Sequence, residues 1–400
     1  MSPPLSTRAR LMPASPIRKL MPLADDAKRR GVHIYHLNIG QPDIETPAVM
    51  RERLGQIHDR VLAYTPSAGT PEYLHSLQTY YRGVGIELGL DELMATTGGS
   101  EAILFALLAC ANEGDDVLVV EPFYTNYSAF ATMAGVHLVP LTARAEDGFH
   151  LPERAAWERA RTPRTRAVIL CNPNNPTGAS VPATAVASFV AMVKAAAPDA
   201  KILVDEAYFE YVDDPAYTSA VPLIATDKRV LVTRTFSKIF GMAGLRVGYV
   251  IAHPDTIADL RKQGSSGTLT GASLAAAAAA LSDPSHLAPE RARNTAARGF
   301  TREKFESAGF RVLPSSANFV MIDIKRDAGA FQALCRQQQI QIARPFPPLT
   351  TCVRVSIGTM AEMQEAVPAM LSLLAAPPPM SARADVAPGF DDLHLAGGAC

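Results

Sequence analysis

Apolar residues fall in this chain in short runs separated by longer stretches of helical period. The runs at 117–120 (VLVV), 136–140, 167–171 (AVILC), 201–204 (KILV), 230–233 and 247–251 are rich in β-branched residues. They carry almost no polar interruption, the pattern of strands buried on both faces, and each interval is long enough for a crossover helix. That alternation predicts a mostly parallel sheet flanked by helices, the α/β class. Past about residue 285 the pattern changes. A charged helix is expected over 288–308, then a strand at 318–324 (NFVMIDI), a helix near 328–338 and a strand at 352–357 (CVRVSI). This reads as a smaller α+β domain. The ends differ again: prolines stand at 3, 4, 13, 16 and 22, and the stretch beyond 375 has no period. Both read as arms or tails, the C-terminal one disordered. The expected division is 1–44 as an arm with part of the small domain, 45–285 as the large domain, 286–375 as the small domain and 376–400 as the tail.

Composition narrows the class. A chain of 400 residues fits two or three domains at ~100–200 residues each. Charged residues make up 19%, below the usual ~25%, which points to a large core and a broad subunit interface. The net charge of −1 removes the electrostatic case for a nucleic-acid or anionic-membrane binder. No apolar run reaches the ~18 residues that span a bilayer. The most apolar stretch, 274–281, is mostly alanine and too short. The first residues lack an uninterrupted apolar segment and do not read as a secretory signal. They are free of acids as far as Ala24, which leaves a transit-peptide reading open. The five cysteines (110, 171, 335, 352, 400) show no CxxC spacing, which suits reduced thiols in a cytoplasm and no metal site. Gly83, Gly85 and Gly89 lack the spacing of a dinucleotide loop and read as turn glycines.

Five motifs carry chemistry, in order, each where a strand ends. Thr97-Gly98-Gly99-Ser100-Glu101 runs into an apolar helix, so free N–H groups and a dipole end could hold an anion; Ser100 could equally cap its helix. Asn172-Pro173-Asn174-Asn175-Pro176-Thr177-Gly178 makes a rigid turn at the carboxyl edge of the sheet, where Asn175 presents an amide to the crevice. Asp205-Glu206-Ala207-Tyr208 puts a carboxylate at the end of a buried strand, in need of a cation. That cation is either a core arginine or a protonated ring nitrogen. Thr235-Phe236-Ser237-Lys238, followed by Gly241, Gly244, Arg246 and Gly248, sets a lysine among hydroxyls, glycines and a second cation, which favours its neutral, nucleophilic form. Arg354, mid-strand in Val353-Arg354-Val355-Ser356-Ile357, wants a bidentate carboxylate or phosphate, and Arg344 lies on the preceding segment.

A phosphate cradle, a ring-stacking aromatic, a pyridinium partner, a Schiff-base lysine and a carboxylate clamp are the protein half of pyridoxal-phosphate chemistry. From Asn38 to Gly358 the chain resembles the class I/II aminotransferases of fold type I. The resemblance implies a large domain with a seven-stranded, mostly parallel sheet, a smaller α+β domain, and pyridoxal 5'-phosphate as cofactor. It makes Lys238 the Schiff-base lysine and proton shuttle, and Asp205 the partner of the pyridine nitrogen. Tyr208 and Asn175 would bond the ring 3-oxygen, and Tyr124 would stack on the ring. Gly99, Ser100, Glu101 (through its N–H), Thr235, Ser237 and Arg246 resemble the phosphate cup. Gly40 and Arg354 resemble the grip on the substrate α-carboxylate. Tyr64 matches a tyrosine lent by the neighbouring subunit of a homodimer with shared active sites.

The implied reaction moves an amino group from an amino acid to a 2-oxo acid by a ping-pong route through pyridoxamine phosphate. The stretch Ser316-Ala317-Asn318-Phe319-Val320 and Ile342-Ala343-Arg344-Pro345 looks most like the histidinol-phosphate aminotransferase branch, where an arginine at the Arg344 position helps bind a substrate phosphate. Leu37-Asn38-Ile39-Gly40-Gln41-Pro42-Asp43 instead looks like enzymes acting on ordinary amino acids. The same lysine could serve a decarboxylase, an eliminase, a cyclase or an oxidase. A regulator with an aminotransferase-like domain would need a DNA-binding domain upstream, and fewer than forty residues precede Asn38 here.

Overall fold

The computed structural model describes residues 5–13, 29–40, 44–264 and 268–376. The expected tail beyond 376, most of the first arm and Gln41–Asp43 lie outside the described residues. After β1 (Tyr35–Leu37), seven strands build one sheet: β2 (Leu93–Thr96), β3 (Asp116–Glu121), β4 (His137–Thr142), β5 (Thr165–Cys171), β6 (Lys201–Asp205), β7 (Val230–Thr235) and β8 (Gly248–Ala252). Their order is β2-β8-β7-β6-β5-β3-β4, with β8 antiparallel to both neighbours and the remaining pairs parallel. The inner strands are buried on both faces. On β3, Leu118 packs into one core while Val117 and Val119 pack into the other. That two-sided burial is why these segments read as unbroken apolar runs.

One expectation needed correction. The 136–140 run forms β4, but as an edge strand that begins at His137, with His137, Pro140 and Thr142 exposed and only Leu141 buried. Pro140, which has no N–H to donate, is suited to such an edge. The alanine stretch 274–281 lies in helix Gly271–Ser282. There Leu274, Ala276, Ala277 and Ala280 belong to the main core. Small side chains let this helix pack closely on helices Ala48–Gly55 and Pro71–Gly83.

The chain then forms helix Leu287–Ser307 and a second sheet from β9 (Arg311–Val312), β10 (Phe319–Asp323) and β12 (Cys352–Ser356), in the order β12-β10-β9, all antiparallel. β11 (Ile340–Ile342) pairs in parallel with β1, so the segment just before Asn38 is held by the C-terminal third. Along β10 the side chains alternate: Val320 and Ile322 join a core with Val353, Val355 and Phe331, while Phe319 and Met321 join the core of the large sheet. β10 is therefore packed into both layers. This matters for function, because Arg354 on β12 and Asn38 after β1 are carried to the edge of the large sheet. Among the described residues no helix is long and apolar enough to cross a membrane, and no cluster of His, Cys, Asp and Glu could hold a metal.

Candidate active site

The parallel strands β5, β6 and β7 end side by side, with Cys171 opposite Asp205 and Asp205 opposite Thr233. Beyond their carboxyl ends opens a cavity of about 270 Å³, lined among others by Ser100, Tyr124, Asn175, Asp205, Tyr208 and Lys238. Crevices of this kind are where α/β sheets bind ligands.

One wall is the start of helix Gly98–Cys110. Gly98 sits at φ +77°, and a Cβ there would lie 2.3 Å from Arg246 Nη2, so only glycine lets the guanidinium approach the helix end. Arg246 donates to Ser237 Oγ at 3.1 Å and to the Ala243 carbonyl at 2.8 Å. Thr235 Oγ1 donates to Ser237 Oγ at 2.9 Å. Ser100 is not the cap: the helix begins two residues earlier, and Ser100 lines the cavity. The Glu101 carboxylate turns back to accept from Thr97 N–H at 2.6 Å and Thr268 Oγ1 at 2.8 Å, leaving its own backbone in the first turn. Free N–H groups, a helix dipole, three hydroxyls and a guanidinium make a site for a phosphate.

Asp205 is buried at the cavity floor. Tyr127 Oη donates to Asp205 Oδ2 at 2.6 Å. Burial raises the Asp205 pKa above the usual carboxylate value, while the Tyr127 hydrogen bond and nearby Lys238 pull it back. The sequence left two cations open for this aspartate. The core arginine turns out to serve its neighbour: Arg234 binds Glu206 through Nε at 3.0 Å and Nη2 at 2.7 Å. Asp205 has no ion pair among the described residues.

Lys238 Nζ donates to the Gly40 carbonyl at 2.9 Å and lies 5.2 Å from the Tyr208 ring centre. Its pKa is lowered to about 8, first by burial and next by Arg354, with Arg246 adding to the effect. The sequence placed only Arg246 beside this lysine; Arg354 comes from a strand more than a hundred residues away. Asn175 Nδ2 donates to Tyr208 Oη at 3.3 Å, and its Oδ1 accepts from Arg354 Nη1 at 2.7 Å. Arg354 Nη2 donates to the Asn38 carbonyl at 3.0 Å, while its buried Nε has no partner. No carboxylate neutralises Arg354 among the described residues. A buried, unpaired guanidinium at a cavity edge is built for an anion from outside.

Gly40 faces this group too, since a Cβ there would stand 3.2 Å from Tyr208 Oη and 3.6 Å from Lys238 Nζ. Arg344 donates to Thr125 Oγ1 and to the Pro345 carbonyl. It flanks the Phe346 ring at 4.5 Å, with Arg354 5.2 Å from the same ring. Tyr64 is the one expected site residue lying elsewhere. It is 97% exposed, beside a second cavity of about 750 Å³ lined also by Leu62, Thr65 and Leu269. Two residues escaped the sequence reading. Tyr127 stands a short step beyond Tyr124 along the chain, and Asn318 donates to the Gly40 carbonyl at 3.0 Å.

These groups fit pyridoxal phosphate. The glycine-lined cup suits its phosphate, Asp205, which has no ion pair among the described residues, its ring nitrogen, and Lys238 its aldehyde. When bound, the cofactor supplies an electron sink for the electrons of a bond broken at an amino-acid Cα. Fold and site together define a pyridoxal-phosphate-dependent transferase of fold type I. Residues 32–370 match Aminotransferase class I and II, and the chain belongs to that family of pyridoxal-phosphate enzymes. It is 32% identical to a histidinol-phosphate aminotransferase of Moorella thermoacetica, over 84% of this chain and 87% of that one. It is 36% identical to an aromatic amino acid aminotransferase of Thermobifida fusca, over 67% and 72%. An aspartate aminotransferase from Thermotoga maritima shares the fold with a TM-score of 0.86, at 22% identity, over 93% of this chain and all (100%) of that one. A putative histidinol-phosphate aminotransferase from Erwinia carotovora atroseptica has a TM-score of 0.75 at 26% identity, over 85% and 96%.

Proposed function

We propose that Lys238 is the cofactor-binding lysine and moves the proton between the substrate Cα and the cofactor, and that Arg354 takes the substrate α-carboxylate. The observation that carries this reading is the pairing of the two groups. A lysine with its pKa near 8 lines the cavity, and the buried Arg354 guanidinium, which bonds the cavity residue Asn175 and which no carboxylate neutralises among the described residues, is close enough to depress it. An amino acid anchored by its carboxylate at Arg354 and Asn175 presents its Cα hydrogen to Lys238, whose neutral form accepts the proton. Asp205 holds the proton on the ring nitrogen, Tyr208 and Asn175 hold the ring oxygen, and Tyr124 covers one ring face. Ser100, Thr235, Ser237, Arg246 and the N–H groups of Gly99 and Glu101 hold the phosphate. Arg344, 4.5 Å from the Phe346 ring, faces the far end of the substrate in this reading, where an anion such as the phosphate of histidinol phosphate would lie.

The active unit in this reading is a homodimer, with Tyr64 reaching the neighbour's phosphate cup. The chain divides into a large unit at 45–285 and a small one at 286–375 with part of the first arm. A cytoplasmic location rests on the cysteines without CxxC spacing. The test is to add an amino acid to holoenzyme without any 2-oxo acid. Conversion of the cofactor to its amine form, reversed by a 2-oxo acid, is the expected result. Release of ammonia or carbon dioxide without that conversion overturns it. A donor panel with histidinol phosphate and aromatic amino acids then tests Arg344, whose replacement by Ala should raise KM selectively for donors with a distal anion.

A further inference from the structure

We propose that Tyr127 is a positioning residue that acts through Asp205, fixing that carboxylate and keeping it ionised beneath the cofactor ring. The inference rests on the assignment of Asp205 to the ring nitrogen. Tyr127 is fully buried in helix Asn126–Ala134, and its hydroxyl spends its hydrogen on Asp205 Oδ2 at 2.6 Å. The Ala207 N–H also bonds this carboxylate, and Tyr127 supplies its side-chain hydrogen bond. The Tyr127 ring also meets Tyr124 edge-on, with centroids 5.4 Å apart, and stacks on Phe123 at 6.2 Å. One buried side chain therefore supports both the residue beneath the ring nitrogen and the residue on the ring face.

The physical need is plain from the surroundings. The titratable groups facing Asp205 are Cys171 on β5, Glu206 and Tyr208 on its own segment, Tyr124 and Tyr127 from the 121–134 segment, and Lys238 beyond β7. Of these, only Lys238 brings positive charge, and Lys238 itself loses protons near pH 8. Burial pushes the Asp205 proton affinity up, and the strongest side-chain opposition comes from Tyr127. A donated hydrogen bond favours the charged acceptor. Removing the hydroxyl therefore raises the Asp205 pKa, and the anionic form survives only at higher pH.

Tyr127→Phe keeps the ring contacts and removes the donor. The expected result has three parts. The acid limb of the kcat–pH profile moves to higher pH by about one unit, the worth of one charged hydrogen bond. The acid-side midpoint of pyridoxal-phosphate binding to the full-length apoprotein moves in the same direction. In an Asp205→Asn background the same substitution changes neither, because the group it acts through is gone. A role confined to packing would lower thermal stability and leave both midpoints in place, and that result overturns the proposal. So does full additivity of the two substitutions. If Asp205→Asn alone leaves turnover near normal, the assignment of Asp205 fails instead, which separates the two failures. Should Tyr127→Phe not fold, 3-fluorotyrosine at this position keeps the shape and strengthens the donor. Both midpoints then move to lower pH, and unmoved midpoints refute the proposal.

Discussion

Single side chains decide the chemistry here, and the charges among them are few. Lys238 is held as a weak base by burial and by Arg354. Capture of pyridoxal phosphate by the apoprotein should therefore accelerate as pH rises through about 8, where the neutral amine appears, and level off above it. A midpoint near the ordinary lysine value of about 10.4 would contradict that environment. Lys238→Ala should abolish borohydride-trappable cofactor; an adduct persisting on another lysine would refute the assignment. Asp205→Asn should keep cofactor bound and lose most turnover. Arg354→Lys preserves the charge but not the fork that joins Asn175 and Asn38. Steady-state kinetics should show KM for the amino acid rising roughly ten- to a hundredfold, with the cofactor absorbance unchanged. Lys238, Asp205, Asn175 and Arg354 were legible in the sequence because each is a polar residue at an apolar strand end or within an apolar strand. Tyr127 was not, because a tyrosine inside an apolar helix looks like core until its hydroxyl has an address.

Elements place those residues by close backbone approach, most tightly where β8 crosses the start of helix Gly98–Cys110. A Cβ on Gly248 would stand 2.5 Å from Gly98 C, 2.7 Å from Gly99 N and 2.9 Å from the Arg234 carbonyl oxygen. All three are backbone atoms and cannot swing aside. Gly248→Ala should cost about 1–3 kcal/mol of stability and weaken cofactor binding together, since the strain falls on the phosphate cup. A Cβ on Gly299, in helix Leu287–Ser307, would have nothing within 4 Å, and Gly299→Ala should raise stability by about 0.5–1 kcal/mol. Paired denaturant titrations check both signs. The inner strands were readable because burial on two faces leaves no polar residue to confuse the run. β2, with only four residues, gave too little pattern. β1 and β11 have three each and exist because they pair across about three hundred residues, which no local period records.

Across the whole molecule, the low charge fraction and the near-zero net charge leave surface for association, and one patch stands out. Val61, Leu62 and Tyr64 are 76%, 80% and 97% exposed within one short segment, beside the cavity of about 750 Å³. Apolar side chains clustered this way on a water-facing surface mark a contact with another molecule. A second copy of this chain is the occupant expected from the family, and it would bring Tyr64 to the phosphate cup of the other protomer. Leu62→Asp should then shift sedimentation from dimer toward monomer and weaken cofactor binding on dilution. Tyr64→Phe should leave the dimer intact and weaken pyridoxal-phosphate affinity about tenfold, the loss of one hydrogen bond to an anion. If the segment instead faces solvent, both substitutions stay within about 0.5 kcal/mol of neutral, and cofactor affinity is the same at every protein concentration.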